Sequence, residues 1–198
     1  MSELILASGS ATRQRVLRSA GVSFSVEVAG VDETAVMESL AGEKASARDA
    51  ADILAELKAV KVSACRPDAF VIGADQVLSI GQVFFQKPVD MSSARAQLMA
   101  LRGRTHTLTS AVAVARGGSV VWRDVREARL TMRAFGDAFV EAYLVDTGED
   151  ILGSVGGYRV EGLGIQLFSR IEGDHFTILG LPLIPLLDFL RTHGILHE

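Results

Sequence analysis

The sequence predicts an α/β fold. Three observations carry that expectation. Residues 4–20 read as an apolar run, a Ser/Gly break and a capped helix. A helical pattern over 45–64 leads into the apolar run 70–76. Two strand-rich stretches, 105–115 and 120–132, are joined by a glycine turn. Strands interleaved with helical patterns belong to sheets covered by helices. At 198 residues the chain fits a single domain, taken here as residues 1–198.

The elements follow in order. Residues 4–7 are short and apolar, the first strand. Ser8-Gly9-Ser10 breaks it, and Ser10 is a good N-cap for a helix over 11–20 closed by Gly21. A strand, a Ser/Gly turn and a helix start place N–H groups and hydroxyls around an anion. Arg13 is followed by Leu17 and Ala20 at i+4 and i+7, which puts it on the inward stripe. It serves either phosphate recognition or a structural ion pair. Residues 22–28 alternate loosely and read as a strand. Asp32 and Glu33 then stand near its end, as a surface turn or as metal-facing acids.

In the helix over 45–64, one stripe carries Leu54, Lys58 and Val62. Lys58 is flanked by apolar residues, so it snorkels to the rim or meets an anion; the stripe slightly favours snorkelling. The run FVIGADQ at 70–76 is rich in apolar residues and reads as a buried strand, with a buried helix turn as the alternative for so short a run. Asp75 is expected at its carboxyl end, where open α/β sheets line their ligand crevice. There it either caps the turn or holds a metal ion or takes a proton from water.

Residues 78–85 read as a hairpin turning at Gly81-Gln82, ending before Gln86-Lys87-Pro88. A helix over 92–101 is ended by Gly103. The Gly117-Gly118 turn supports a long hairpin between 105–115 and 120–132. A helix over 135–145 and a polar connection over 146–151 follow. The stretch GSVGGYRVEGLG at 153–164 permits tight bends but is no dinucleotide fingerprint. Residues 165–171 alternate and read as a strand. Gly180-Leu181-Pro182 opens a last helix to about Thr192, with Pro185 delaying or kinking it.

Composition narrows the function classes. Apolar residues make up 48% and charged residues 22%, enough for a real core, and the net charge of −4 leaves no basic footprint for nucleic acid. The single cysteine, Cys65, excludes an internal disulfide and suits a reducing compartment. The opening MSELILASGS lacks the basic flank of a signal peptide. The longest apolar run, 176–187, is too short for a bilayer and holds two prolines. A soluble, cytoplasmic protein without a membrane partner is expected.

The candidate residues form a chemical set. Arg13, Lys58 and Lys87 can neutralise phosphate oxygens. Ser8 and Ser10 can donate to them. Glu33 and Asp75 can hold a divalent cation, with Asp75 the candidate base. Hydrolysis of a polyphosphate needs this mixture, since developing negative charge must be spread and water activated. The P-loop pattern GxxxxGK[ST] is absent.

Seven segments in order carry a resemblance: LILASGSATR, VDE with the Lys of LAELKA, GADQV, QKP, LRGRTHTLTSAVAV, GGYRVEGLGIQLFSRIEG and LGLPL. Together they resemble the Maf family of nucleoside triphosphate pyrophosphatases along essentially the whole chain. The resemblance implies a two-lobed α/β fold around a long twisted mixed sheet with a central nucleotide cleft. It implies hydrolysis between the α- and β-phosphates, with Mg²⁺ or Mn²⁺, to a nucleoside monophosphate and pyrophosphate. By motif, Asp75 becomes proton acceptor and metal ligand, Glu33 the second acid, and Arg13, Lys58 and Lys87 the phosphate holders, with Ser8 and Ser10 in the opening turn.

The family's specificity positions fall on Thr12, Gln76 and Glu161. Gln76 and Glu161 look like the branch acting on 7-methyl-GTP. Thr12 stands where that branch has Trp, which removes a stacking partner for a cationic base. Members often dimerise, which admits a homodimer here. The alternative reading is a non-catalytic nucleotide-binding regulator of septum formation. A pure binder needs the cations but not both acids, so the enzyme reading is favoured.

Overall fold

The computed structural model describes residues 3–42 and 45–197, with the backbone alone at residue 41. Met1 and Ser2 of the MSELILASGS opening lie outside them. The chain runs β1 (Leu4–Leu6), α1 (Ala11–Ser19), β2 (Ser25–Val26), α2 (Glu33–Gly42), α3 (Ala47–Cys65), β3 (Phe70–Ile80) and β4 (Val83–Phe85). It continues with α4 (Met91–Leu101), β5 (Thr105–Arg116), β6 (Ser119–Met132), α5 (Asp137–Thr147), three 3-10 turns, β7 (Phe168–Glu172), α6 (His175–Ile178) and α7 (Leu183–Thr192). The strands form one mixed sheet in the order β2-β1-β3-β5-β6-β7, with β4 on β3. The α/β expectation holds.

The chain divides into two compact units. The first holds Met1–Gln76, Thr109–Glu127 and Asp174–Glu198; the second holds Val77–Leu108 and Ala128–Gly173.

In the first unit, β1 pairs in parallel with β2 and with β3, Leu6 lying opposite Ile72. The period of two sorts the side chains by face. Leu4, Leu6, Phe70, Ile72 and Ala74 pack with Val112 and Val114 against Leu17 of α1 and Leu183, Leu186 and Phe189 of α7. Ile5, Ala7 and Val71 turn the other way, onto Val62 of α3. Gly73 and Asp75 continue that second row, while Gln76 continues the first. Helix α3 begins at a capping box in which Ser46 and Asp49 satisfy each other's backbone N–H groups. In α7, Pro185 falls within the first turn, where its missing N–H removes no helical bond, and the helix starts at Leu183.

In the second unit, β3 turns back into β4 through Gly81-Gln82, with Ile80 opposite Val83, as expected. Helix α4 is capped by Asp90, whose side chain accepts from Ser93 N. His106 and Tyr158 are buried and bonded at 2.7 Å.

The β5–β6 turn at Gly117-Gly118, with φ of 58° and 77°, is as expected. Four expectations are corrected. The strand over 22–28 shrinks to Ser25–Val26. The strand over 165–171 begins only at Phe168, because residues 163–167 coil into a 3-10 turn around Gly164. The acids at 32 and 33 do not close a strand: Asp32 Oδ1 accepts from Ala35 N, and Glu33 opens α2. Finally, β3 does not stop at Gln76 but runs to Ile80.

Candidate active site

The site begins at the turn between β1 and α1. Past Leu6 the chain still follows β3, Ala7 N donating to Ile72 O at 2.7 Å. Ser8 is buried, and its Oγ accepts from Ser10 N at 3.3 Å. Ser10 caps α1, accepting from Arg13 N at 3.4 Å. Arg13 then folds back over the turn. Its Nη1 donates to Ser8 Oγ at 3.2 Å and its Nε to Gly180 O at 2.8 Å. Leu17 is buried as the stripe required, whereas Ala20 is exposed, so only half of the predicted inward stripe is used.

Lys58 corrects the reading that favoured snorkelling. Its side chain keeps 8% of its surface, and Nζ lies 2.6 Å from both Asp75 Oδ1 and Glu33 Oε1. The helix brings it there because the flanking residues are small. Ala51, Ala55 and Ala59 are fully buried, letting α3 lie close on β3. The strand contributes Gly73: a Cβ there would run into the Ala55 carbonyl oxygen and lie 2.6 Å from Ala59 N. Two residues on, on the same face, stands Asp75, itself buried.

Asp75 therefore sits within a strand rather than at its end. The strand-end logic applies instead to β1, whose pairing with β3 ends at Leu6–Ile72. Asp75 lies three residues beyond that point, alongside the turn holding Ser8 and Ser10. Burial lowers the pKa of the Arg13 guanidinium, while the charges of Asp75 and Glu33 act to raise it. These acids are thus electrical neighbours of Arg13.

Gln76 faces the opposite side. Its Nε2 donates to Ser110 Oγ at 3.0 Å, to Thr177 O at 3.1 Å and to Ile178 O at 3.0 Å. Thr12 is half-buried in the first turn of α1.

The first unit thus gathers Ser8, Ser10, Arg13, Glu33, Lys58 and Asp75, with Gln76 on the reverse face. Lys87 and Glu161 belong to the second unit, both exposed: Lys87 follows β4, and Glu161 lies between two 3-10 turns. Sequence reasoning missed the Gly180 carbonyl that holds Arg13, and Ser110 behind Gln76. A signal for Ser110 existed: Thr109-Ser110 is a polar pair at the head of the apolar run AVAVA.

Among the described residues, no three His, Cys, Asp or Glu side chains cluster as a metal cage. Glu33 and Asp75 offer hard carboxylate oxygens, the donor set with which Mg²⁺ is held by one or two carboxylates together with substrate phosphates. In this structure the Lys58 ammonium stands between the two acids, leaving the second oxygen of Asp75 clear of it. Among the described residues no helix is long and apolar enough to cross a membrane.

Comparison with known proteins identifies the chain's relatives. Residues 3–193 match the family described as Maf-like protein. The nucleoside triphosphate pyrophosphatase of Paramagnetospirillum magneticum is 56% identical over 190 residues, covering 96% of this chain and 98% of its own length. That of Caulobacter vibrioides is 52% identical over 196 residues, covering 99% and 98%. The 7-methyl-GTP pyrophosphatase of Brucella abortus is 50% identical over 189 residues, covering 96% and 95%. A match that spans nearly every element, from β1 through α7, leaves one conclusion: this chain belongs to the Maf family.

Proposed function

We propose that this chain hydrolyses nucleoside triphosphates between the α- and β-phosphates, releasing a nucleoside monophosphate and pyrophosphate. The observation that carries the reading is the charge cluster in which Lys58 bridges Glu33 and Asp75 beside Arg13. The names of the relatives support the same class of hydrolase.

The roles follow from the chemistry. Arg13 presents the rest of its guanidinium fork to phosphate oxygens while Nε and Nη1 hold it in place. Ser8 and Ser10 add donors, and Lys87 is a phosphate-holding candidate by its motif alone. Asp75 takes a proton from the attacking water through Oδ2, since Oδ1 is engaged by Lys58. Lys58 holds that carboxylate in one orientation. Glu33 and Asp75 would hold a divalent cation, Mg²⁺ or Mn²⁺, against the substrate. The chemistry such a cation supplies is neutralisation of charge on the phosphates.

Two acids around one buried lysine also argue against a non-catalytic septum regulator. A pure phosphate binder gains nothing from carboxylates that cancel its cation.

For the base, Gln76 and Glu161 favour 7-methyl-GTP and Thr12 does not, so we place the substrate among modified or non-canonical nucleotides. A cytoplasmic setting is supported by the lone Cys65, free and exposed. A homodimer rests on the habit of the family alone.

The test is turnover of 7-methyl-GTP, dTTP, UTP and 5-methylated nucleotides with Mg²⁺ or Mn²⁺, repeated with EDTA. Monophosphate plus pyrophosphate is expected, lost with EDTA. Diphosphate plus inorganic phosphate would overturn the assigned bond, and EDTA-insensitive turnover would overturn the cation.

A further inference from the structure

We infer that Ser110 is a positioning residue for Arg13, acting through the Thr177 carbonyl and Gly180. Ser110 is fully buried in β5, among the apolar residues that face α7. Its Oγ donates to Thr177 O at 2.7 Å and accepts from Gln76 Nε2. The same carbonyl accepts from Gly180 N at 3.0 Å. Gly180 in turn presents its own carbonyl to Arg13 Nε. Three hydrogen bonds therefore join a serine in the sheet to the guanidinium proposed to hold phosphate.

The rest of the segment is fixed to match. Asp174 Oδ2 accepts from Thr177 N at 2.7 Å and from Thr177 Oγ1 at 3.0 Å. Leu181 N donates to Phe176 O at 3.0 Å. Gly180 has a φ of 87°, a left-handed conformation that lets its carbonyl meet Arg13 and that a side chain would strain. A Cβ added there would lie 3.5 Å from Arg13 Nε and 3.6 Å from Gln76 Oε1.

This geometry also redefines Gln76. An amide nitrogen has two hydrogens, and here they serve three acceptors. Two of those acceptors are backbone carbonyls, so the amide cannot be turned over. Gln76 has only Oε1 left to offer. Its influence on the reaction runs through the latch on Thr177, or as an acceptor alone. The inference rests on the phosphate role proposed for Arg13, but the latch itself is testable without turnover.

The experiment follows hydrogen exchange of the Arg13 Nε–H by NMR, the signal being assigned by its loss in Arg13→Lys. In parallel, kcat and KM are measured for 7-methyl-GTP and dTTP with Mg²⁺. In Ser110→Ala the exchange should speed up by about tenfold or more, and kcat/KM should fall by about tenfold, as for a displaced binding group. Ser110→Thr, which keeps the hydroxyl, should restore both. Exchange at the wild-type rate in folded Ser110→Ala overturns the inference. So does failure of Ser110→Thr to restore slow exchange, which would assign the effect to packing. Should Ser110→Ala not fold, Gln76→Met removes the other side-chain donor to Thr177 O and carries the same expectation. If no variant, wild type included, releases pyrophosphate, the proposed function fails while the exchange data still decide the latch.

Discussion

Lys58 donates to Asp75 at 2.6 Å across the contact between α3 and β3, with both side chains almost entirely withdrawn from water. Glu33, half-exposed, completes the arrangement from the start of α2. Removing one member of a buried pair leaves the other charge without compensation, at a cost of roughly 3–5 kcal/mol. Lys58→Met should therefore lower stability in urea by about that amount. An unfolding midpoint equal to the wild type would mean the pair contributes nothing to the fold.

Asp75→Asn changes the same place more gently. The amide keeps the volume and an oxygen acceptor for Lys58 but cannot take a proton at neutral pH. The fold and nucleotide binding should persist while turnover falls by roughly two orders of magnitude or more. Near-normal kcat in this variant would reject Asp75 as the base.

Gly73→Ala adds one carbon where the backbone of α3 already lies. The helix would have to lift at Ala55 and Ala59, the residues on either side of Lys58. Overpacking of this kind costs about 3 kcal/mol, and here the obstacle is backbone rather than a flexible side chain. Chemical denaturation should show the loss, and turnover should fall with it. Gly136→Ala, at the N-cap of α5 with open space around a Cβ, is the control that should leave turnover unchanged and cost no more than about 1 kcal/mol.

His106 makes stability depend on pH. Burial pushes its pKa down from 6.5 to about 4. Its Nε2 is bonded to Tyr158 Oη, and its Nδ1 is buried without a partner. Burial also pushes the Tyr158 hydroxyl up, so it stays neutral throughout this range. Below pH 6.5 the unfolded chain binds a proton at this histidine that the folded chain does not. The stabilisation is complete above pH 6.5, declines as pH falls towards 4, and is lost below. The gap is worth roughly 3 kcal/mol at most. Urea midpoints between pH 7 and 4 should fall in the wild type, and His106→Gln should flatten that part of the slope.

Much of the first unit was legible because local chemistry and tertiary structure agree there. Ser8-Gly9-Ser10 breaks the strand, and Ser10 caps the helix. The helix over 45–64 appears as Ala47–Cys65. Lys58 was read from its stripe as a residue with apolar neighbours, but its destination depends on Glu33 and Asp75, which no local pattern pairs with it. The helix α2 was hidden because Asp32-Glu33 has the chemistry of a turn as well as of a helix start. The sequence points to a strand end at Gln76 because Gly73 and Asp75 look like breakers. In the structure the glycine makes room for a helix, and the acid is paired, so the strand continues. Residues 165–167 alternate in hydropathy, yet the glycines on either side of Leu163 coil the chain before β7.

The tether between Arg13 and Gly180 spans 167 positions of the chain. A ribosome emitting this protein from its first residue therefore exposes the arginine long before the carbonyl that orients it exists. Contacts of such long range form late, after the cost of closing the intervening loop has been met. Nascent chains and fragments cut ahead of α6 would carry the serines, the lysine and both acids, but no oriented guanidinium. Competence towards nucleotides would then arrive in a single late step, once synthesis has passed residue 180.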